Sequence, residues 1–301
     1  MGTSTATADR PGTGIGTRAL KALDALAGAG QLDPIIEPLQ RLVQGAPLGR
    51  LRGVLHGCPI GHPLHPVLVQ VPVGAWLSSA VLDQVSGCER AARLLVAAGV
   101  VTAAPAALTG WVDWAEQHEQ QMRTGIVHAA SMAAAVALYG ASWAARARGR
   151  APLGRGLGFA GLAVLGGGAA LGGHLAYRQG AGANKTEPVP HLVEPGWHAL
   201  GPAEDFPIGK GVRRTVGEVS VLVVREADGV FRVLADRCSH ASGPLSQGEV
   251  ADGCVTCPWH GSVFRLADGW NVGGPATAPQ PCFTTRTDAD GTLQVCLPDA
   301  G

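Results

Sequence analysis

The chain has 301 residues, and its 23 Lys+Arg balance its 23 Asp+Glu to a formal net charge of zero. That balance excludes a basic nucleic-acid binder, which needs a cationic face to neutralise phosphates. Charged residues are only 15 % of the chain and glycines number 44, which fits neither an ordinary soluble enzyme nor a disordered chain.

Residues 1–49 read as an N-terminal tail with short amphipathic helices. The first 15 residues are rich in Thr, Gly and Ala, which predicts disorder. Residues 18–28 alternate charge with Leu and Ala, so they lack the continuous apolar core of a cleavable signal. Leu20, Leu23, Leu26 and Ala27 form one helical stripe, and Ile35, Ile36, Leu39, Leu42 and Val43 another. These helices are expected to lie on a membrane or on a helical bundle.

Residues 50–180 predict a four-span membrane domain. Residues 66–178 hold only 13 of the 46 charged residues, leaving uncharged runs at 66–82, 94–112, 124–145 and 156–177. A spanning helix needs about 20 mostly apolar residues. The runs carry no repeating polar face. Gly154-xxx-Gly158 and Gly168-xxx-Gly172 have the small-residue spacing that lets membrane helices approach closely. Pro72 and Pro105 are tolerable in such a bundle. The Gly-rich stretch 166–173 follows no strand, so it predicts helix packing rather than a nucleotide loop.

Four spans return the chain to its starting side. His62, His65, His118, His128 and His174 then all fall on the face from which the C-terminal part departs. Either these imidazoles cap helix ends and bond across the bundle, or two of His65, His128 and His174 bind a haem b or contact a quinone. Ionisable groups within spans are functional candidates, and neutral imidazole is a common haem ligand. Arginines are nearly balanced between the two sides, so the positive-inside rule does not choose between them.

From Lys185 the composition changes. Pro188, Pro190 and Pro195 should stop any helix. Stretches rich in β-branched residues follow, at Glu218–Arg225 and Val230–Ala235, separated by turns at Ala227-Asp228-Gly229 and Asp290-Gly291. They predict a small all-β domain over residues 188–298.

This domain carries Cys238-Ser239-His240 and, after sixteen residues, Cys257-Pro258-Trp259-His260. Two thiolates and two imidazoles are a ligand set for iron or zinc. The single-residue gap in the first motif is unusual for a zinc knuckle. It suits a [2Fe–2S] cluster in which one iron takes two Cys and the other two His. Of the seven cysteines, Cys58, Cys88, Cys254, Cys282 and Cys296 remain, and these are expected to be buried small hydrophobes.

With Gly243-Pro244-Leu245 after the first motif and Gly261-Ser262 after the second, the β domain resembles the Rieske iron–sulfur family. The resemblance implies one [2Fe–2S] cluster. Cys238 and Cys257 would hold the inner iron, and His240 and His260 the outer iron that takes up the electron. Pro244, Trp259 and Ser262 would surround the cluster. High-potential members carry a cysteine pair where this chain has Gly243 and Trp259, and a Tyr where it has Phe264. The midpoint is therefore expected in the lower half of the Rieske range of about −150 to +300 mV. Ring-hydroxylating oxygenases add a two-His-one-carboxylate iron after the Rieske domain. The roughly 40 residues after His260 contain no histidine, which favours electron transfer over a complete oxygenase.

The segment Gly61-His62-Pro63-Leu64-His65-Pro66-Val67, continuing through Pro72, Gly74, Ala75 and Trp76 to Asp83, resembles a bacterial family of four-span membrane domains of unknown function. Some of its members continue into a Rieske domain. The chain is thus expected to be a four-helix transmembrane bundle followed by a small all-β Rieske domain, integral to a bacterial cell membrane. It would transfer single electrons between redox donor and acceptor proteins or quinone, with membrane lipid around it and no nucleic acid. A tail without a signal and a cluster loop without a disulfide favour the cytoplasmic side for the Rieske domain. The alternatives are a component of an oxygenase or reductase system with its catalytic metal elsewhere, and a non-catalytic redox sensor.

Overall fold

A computed structural model describes residues 15–298; the expectation for the Thr/Gly/Ala-rich start lies outside them. The N-terminal helices α1 (Ile15–Leu26) and α2 (Asp33–Gln44) form where the two stripes predicted them. α2 seats Ile36, Leu39 and Val43 against Trp111, Trp114 and Met122. It therefore rests on the bundle with half of its stripe, while Ile35 and Leu42 point outward. A short helix, α3 (Leu51–His56), ends at Gly57, which is left-handed. A Cβ there would lie 2.0 Å from His62 O, so only glycine lets the chain fold back at this point.

Four helical segments follow that are long and apolar enough to cross a membrane. The first joins α4 (His65–Leu68) to α5 (Gln70–Leu82). The others are α6 (Glu89–Trp114), α7 (Glu119–Ala147) and α8 (Ala151–Gly173), which runs on into a π-turn at His174–Arg178. The helices outrun the uncharged stretches because charged residues also sit at their ends. Glu89 and Glu119 in first turns and Arg146 in a last turn complement the helix dipole.

In mid-bundle Trp76 stacks on Tyr139 with ring centroids 4.2 Å apart. Gly161 leaves room for Tyr139 and Gly168 for Met132. The glycine spacing of α8 thus serves packing within this chain. At the end away from the β domain, Arg146 donates two 2.6 Å hydrogen bonds to the Asp83 carboxylate, and both side chains are buried.

A single helical turn, α9 (Val189–Leu192), leads into the β domain. The prolines around it do not abolish helix as expected. Pro190 lies in the first turn, where no N–H donor is needed. The larger sheet contains β1 (His198–Pro202), β2 (Gly211–Val216), β3 (Val219–Arg225) and β4 (Phe231–Ala235). The smaller contains β5 (Glu249–Ala251), β6 (Cys254–Thr256), β7 (Val263–Arg265) and β8 (Asn271–Gly273). The last strands, β9 (Cys282–Thr287) and β10 (Thr292–Cys296), return to the larger sheet, whose order is β1-β10-β9-β4-β3-β2; the smaller is β5-β6-β7-β8.

β3 is buried on both faces. Val221 and Val223 enter one core with Phe231, Val233 and Phe283. Leu222 and Val224 enter a second core with Leu234, Val255, Phe264, Cys238 and Cys257. This second core supports the loops that carry the motifs. Cys58, Cys88, Cys254, Cys282 and Cys296 are half-buried, less enclosed than small core hydrophobes would be.

Candidate metal centre

The two motifs occupy matching loops, one between β4 and β5 and one between β6 and β7. In the first, Cys238 N–H donates to Gly243 O (2.8 Å) and Ser242 N–H donates to Cys238 O (2.9 Å). In the second, Cys257 N–H donates to Ser262 O (2.8 Å) and Gly261 N–H donates to Cys257 O (3.1 Å). Each loop is therefore a six-residue turn closed on its cysteine. Each also turns through a left-handed residue at the same place, Ser242 at φ 65° and Gly261 at φ 69°. Ser242 holds this conformation at some cost, since only glycine adopts it freely.

The loops bring all four motif residues together. Cys238 and Cys257 are buried in the same core. The interaction of the two thiols pushes Cys257 down to about 6 and Cys238 up. The rings of His240 and His260 are 5.0 Å apart between centroids. Burial pushes His240 down to about 3 and lowers His260 as well, so both imidazoles are neutral and able to ligate. His240 Nδ1 is buried with no hydrogen-bond partner, which suits a ligand atom.

Thiols and imidazoles form two separate pairs. Among the described residues no three His, Cys, Asp or Glu side chains converge as one mononuclear ion requires. Two pairs fit a two-iron group better than one tetrahedral zinc.

Trp259 packs over Gly243, where a Cβ would lie 2.8 Å from Cys257 Sγ and 3.0 Å from the indole. Ser262 is fully buried, and its Oγ accepts from Ala276 N–H. Pro244 begins the short turn that carries Leu245 into the core. Phe264 is fully buried beneath the second loop.

Some residues that shape the centre carry no sequence signal. Gln280 accepts from Ser239 N–H (2.8 Å) and donates to the carbonyls of Ala235 and Arg237. A lone glutamine announces nothing of this. The helical module also reaches the centre. Lys185 N–H donates to Ser239 O, and the Cys58 thiol donates to Gly274 O (3.1 Å) and Ala276 O (3.3 Å). The His118 ring lies 5.6 Å from Trp259 and 6.1 Å from His260. His56, buried near His240, has its Nδ1 2.8 Å from Asp113 Oδ1.

The three membrane histidines singled out in the sequence divide. His65 and His128 face each other at 6.4 Å. His174 does not join them, because its Nε2 lies 3.5 Å from Asp24 of α1. His128 lies more than two turns inside α7, because that helix begins at Glu119.

A family model described as Rieske [2Fe-2S] domain matches residues 196–284, and one described as predicted membrane protein (DUF2231) matches residues 61–185. The anthranilate 1,2-dioxygenase ferredoxin subunit of Burkholderia cepacia is 34 % identical over 99 residues, which is 33 % of this chain and 90 % of that one. The 3-phenylpropionate/cinnamic acid dioxygenase ferredoxin subunit of Escherichia coli K12 is 31 % identical over 100 residues, covering 33 % and 92 %. The oxygenase component of 3-ketosteroid-9-alpha-monooxygenase from Mycolicibacterium smegmatis is 30 % identical over 102 residues, 34 % of this chain but only 24 % of that protein.

Proposed function

The chain belongs to the Rieske [2Fe–2S] family, with its Rieske domain C-terminal to a membrane-protein domain, and we infer that it is a membrane-anchored one-electron carrier. The observation that carries this reading is the pairing of two buried thiols with two neutral imidazoles, one of them with an orphaned buried nitrogen. Cys238 and Cys257 would hold one iron of the cluster, and His240 and His260 the other. The cluster supplies one-electron chemistry when bound. The chain's own groups do the rest. The two closed turns position the ligands, Ser262 ties the second loop to Ala276, and Trp259 packs over Gly243 beside the Cys257 sulfur.

The four apolar helices over residues 65–178 anchor the carrier, with residues 50–180 as the membrane domain and 188–298 as the Rieske domain. None of the seven cysteines is in a disulfide, which supports the cytoplasmic side for the β domain. Two of the relatives are ferredoxin subunits of dioxygenases, matched over about nine-tenths of their length. By that likeness the partners are redox proteins, a reductase as donor and an oxygenase or membrane carrier as acceptor.

The test is low-temperature EPR with iron and sulfide analysis on detergent-purified chain. We expect a reduced-state Rieske signal and two irons per chain, both lost in Cys257→Ser and His260→Ala. Stoichiometric zinc without an EPR signal overturns the reading.

A further inference from the structure

His65 and His128 stand outside the cluster site, inside the bundle. Their rings are perpendicular with centroids 6.4 Å apart. His65 Nδ1 lies 2.8 Å from Ala106 O of α6, and His128 Nδ1 lies 2.8 Å from Gly168 O of α8. A carbonyl oxygen can only accept, so each Nδ1 carries the proton and each Nε2 keeps its lone pair. An imidazole whose other nitrogen donates to a backbone carbonyl is the arrangement proteins use to fix a metal ligand's tautomer and orientation. Both rings are also pinned. A Cβ on Gly110 would lie 2.9 Å from His65 Nδ1, and one on Gly172 would lie 3.3 Å from His128 Cε1. All four spans thus contribute: two carry the histidines and two hold them.

The chemistry selects among ligands. A bare divalent ion asks for three or four protein ligands, and no cluster of three occurs among the described residues. Quinone carbonyls ask for hydrogen-bond donors, whereas both Nε2 atoms accept. An iron porphyrin brings four nitrogens of its own and needs only two axial ligands. A ligating nitrogen sits about 2 Å from its metal, so rings on opposite faces of one iron have centroids about 6 Å apart. The observed 6.4 Å matches that span.

We propose that His65 and His128 are the axial ligands of a haem b held between the first and third spans. As an electron carrier this haem rests on the function proposed above; its binding does not. It would lie in the module whose His118 touches Trp259 and His260. Asp113, in the last turn of α6, bonds His56, which is buried near His240. One electron from the reduced cluster makes ferric iron ferrous and leaves the cluster oxidised, with no other reactant required.

The experiment uses the full chain, expressed with 5-aminolevulinate and purified in detergent. It is read by pyridine haemochrome assay, oxidised-minus-reduced spectrum and ferric EPR. We expect one haem b per chain with a low-spin bis-imidazole signal. His65→Ala and His128→Ala each lose that signal, and added imidazole restores it. His65→Met stays low-spin with a shifted spectrum. His62→Ala and His174→Ala keep the full signal. A chain that carries its cluster EPR signal but no haem overturns the proposal and leaves the electron-carrier reading intact. Haem present without a cluster does the reverse. Low-spin haem retained in both alanine variants, or copper bound in place of haem, also overturns it.

Discussion

The two ends of the helical bundle treat their polar groups differently. At the end away from the β domain, Asp83 and Arg146 close on each other through two 2.6 Å hydrogen bonds, with 3 % and 5 % of their side chains exposed. Arg146 also donates to Ser142 Oγ, so little bonding capacity remains. At the other end each imidazole is tied by one nitrogen only. His56, His65 and His128 bond through Nδ1 to Asp113, Ala106 O and Gly168 O, and among the described residues no protein group bonds their Nε2 atoms. A closed pair holds helices together. A half-used imidazole keeps a lone pair for something else, and here such groups gather on the side that meets the cluster loops.

The comparison can be broken at its closed end first. Arg146→Ala leaves the Asp83 carboxylate buried without its bidentate partner, and should cost about 3–5 kcal/mol, read by thermal denaturation in detergent. The cluster potential of the protein that remains folded should not move. An equal loss for Arg146→Ala and for an exposed arginine such as Arg148→Ala would refute the structural role. His56→Ala makes the matching change at the open end. Asp113 is 22 % exposed on its side chain, so water replaces part of the lost bond and the cost should fall to about 1–3 kcal/mol. A loss as large as that of Arg146→Ala would show this end to be closed too. Lys185→Met tests the electrostatics of the cluster face. Burial lowers the Lys185 ammonium from its usual range, and its positive charge acts on His240. Removing a cation disfavours the incoming electron by on the order of 1 kcal/mol, so the midpoint should fall by tens of millivolts. Alkaline pH should lower the wild-type midpoint in the same direction, and that part of the shift should vanish in Lys185→Met.

Much of this contrast was legible in the sequence, and the reason lies in what each feature depends on. The spans rest on local composition, which the uncharged runs display. The four motif residues rest on spacing within two short loops closed by local hydrogen bonds, and both motifs lie within 23 residues, Cys238 to His260. Contacts between distant residues were not legible. His56 finds Asp113 57 residues on, and Cys58 reaches Gly274 across 216. Neither isolated residue carries a periodic signal that names its partner. The division of His65 and His128 from His174 depends on where α7 starts and on the π-turn at His174, and the edges of uncharged runs fix neither. The short helix at Val189–Leu192 is hidden in the sequence because proline reads as a breaker, yet the first helical turn accepts it.

The smallest expected effect decides whether the open end is as open as it looks. Glu116 lies between α6 and α7, buried, 3.8 Å from Arg52 and 3.4 Å from Gln44 Nε2. Burial raises its carboxyl above the usual value, and the favourable fields of His56 and Arg52 with the Gln44 hydrogen bond only partly offset this. A carboxyl whose folded value is raised favours the protonated form. Its contribution to stability is therefore fully present below the unfolded value of about 4.3 and is lost as pH rises through the higher folded value. At neutral pH Glu116 should be a net cost. Glu116→Gln keeps the shape, can still accept from Gln44, and gives up a strained ion pair worth about 0–1 kcal/mol. It should match wild type at acid pH and melt slightly higher at neutral pH, with the gap opening as pH rises. A lower melting temperature at neutral pH would mean that Arg52 outweighs the desolvation. Glu116 and Arg52 would then be closed on each other as Asp83 and Arg146 are, and the contrast between the two ends would narrow to the histidines alone.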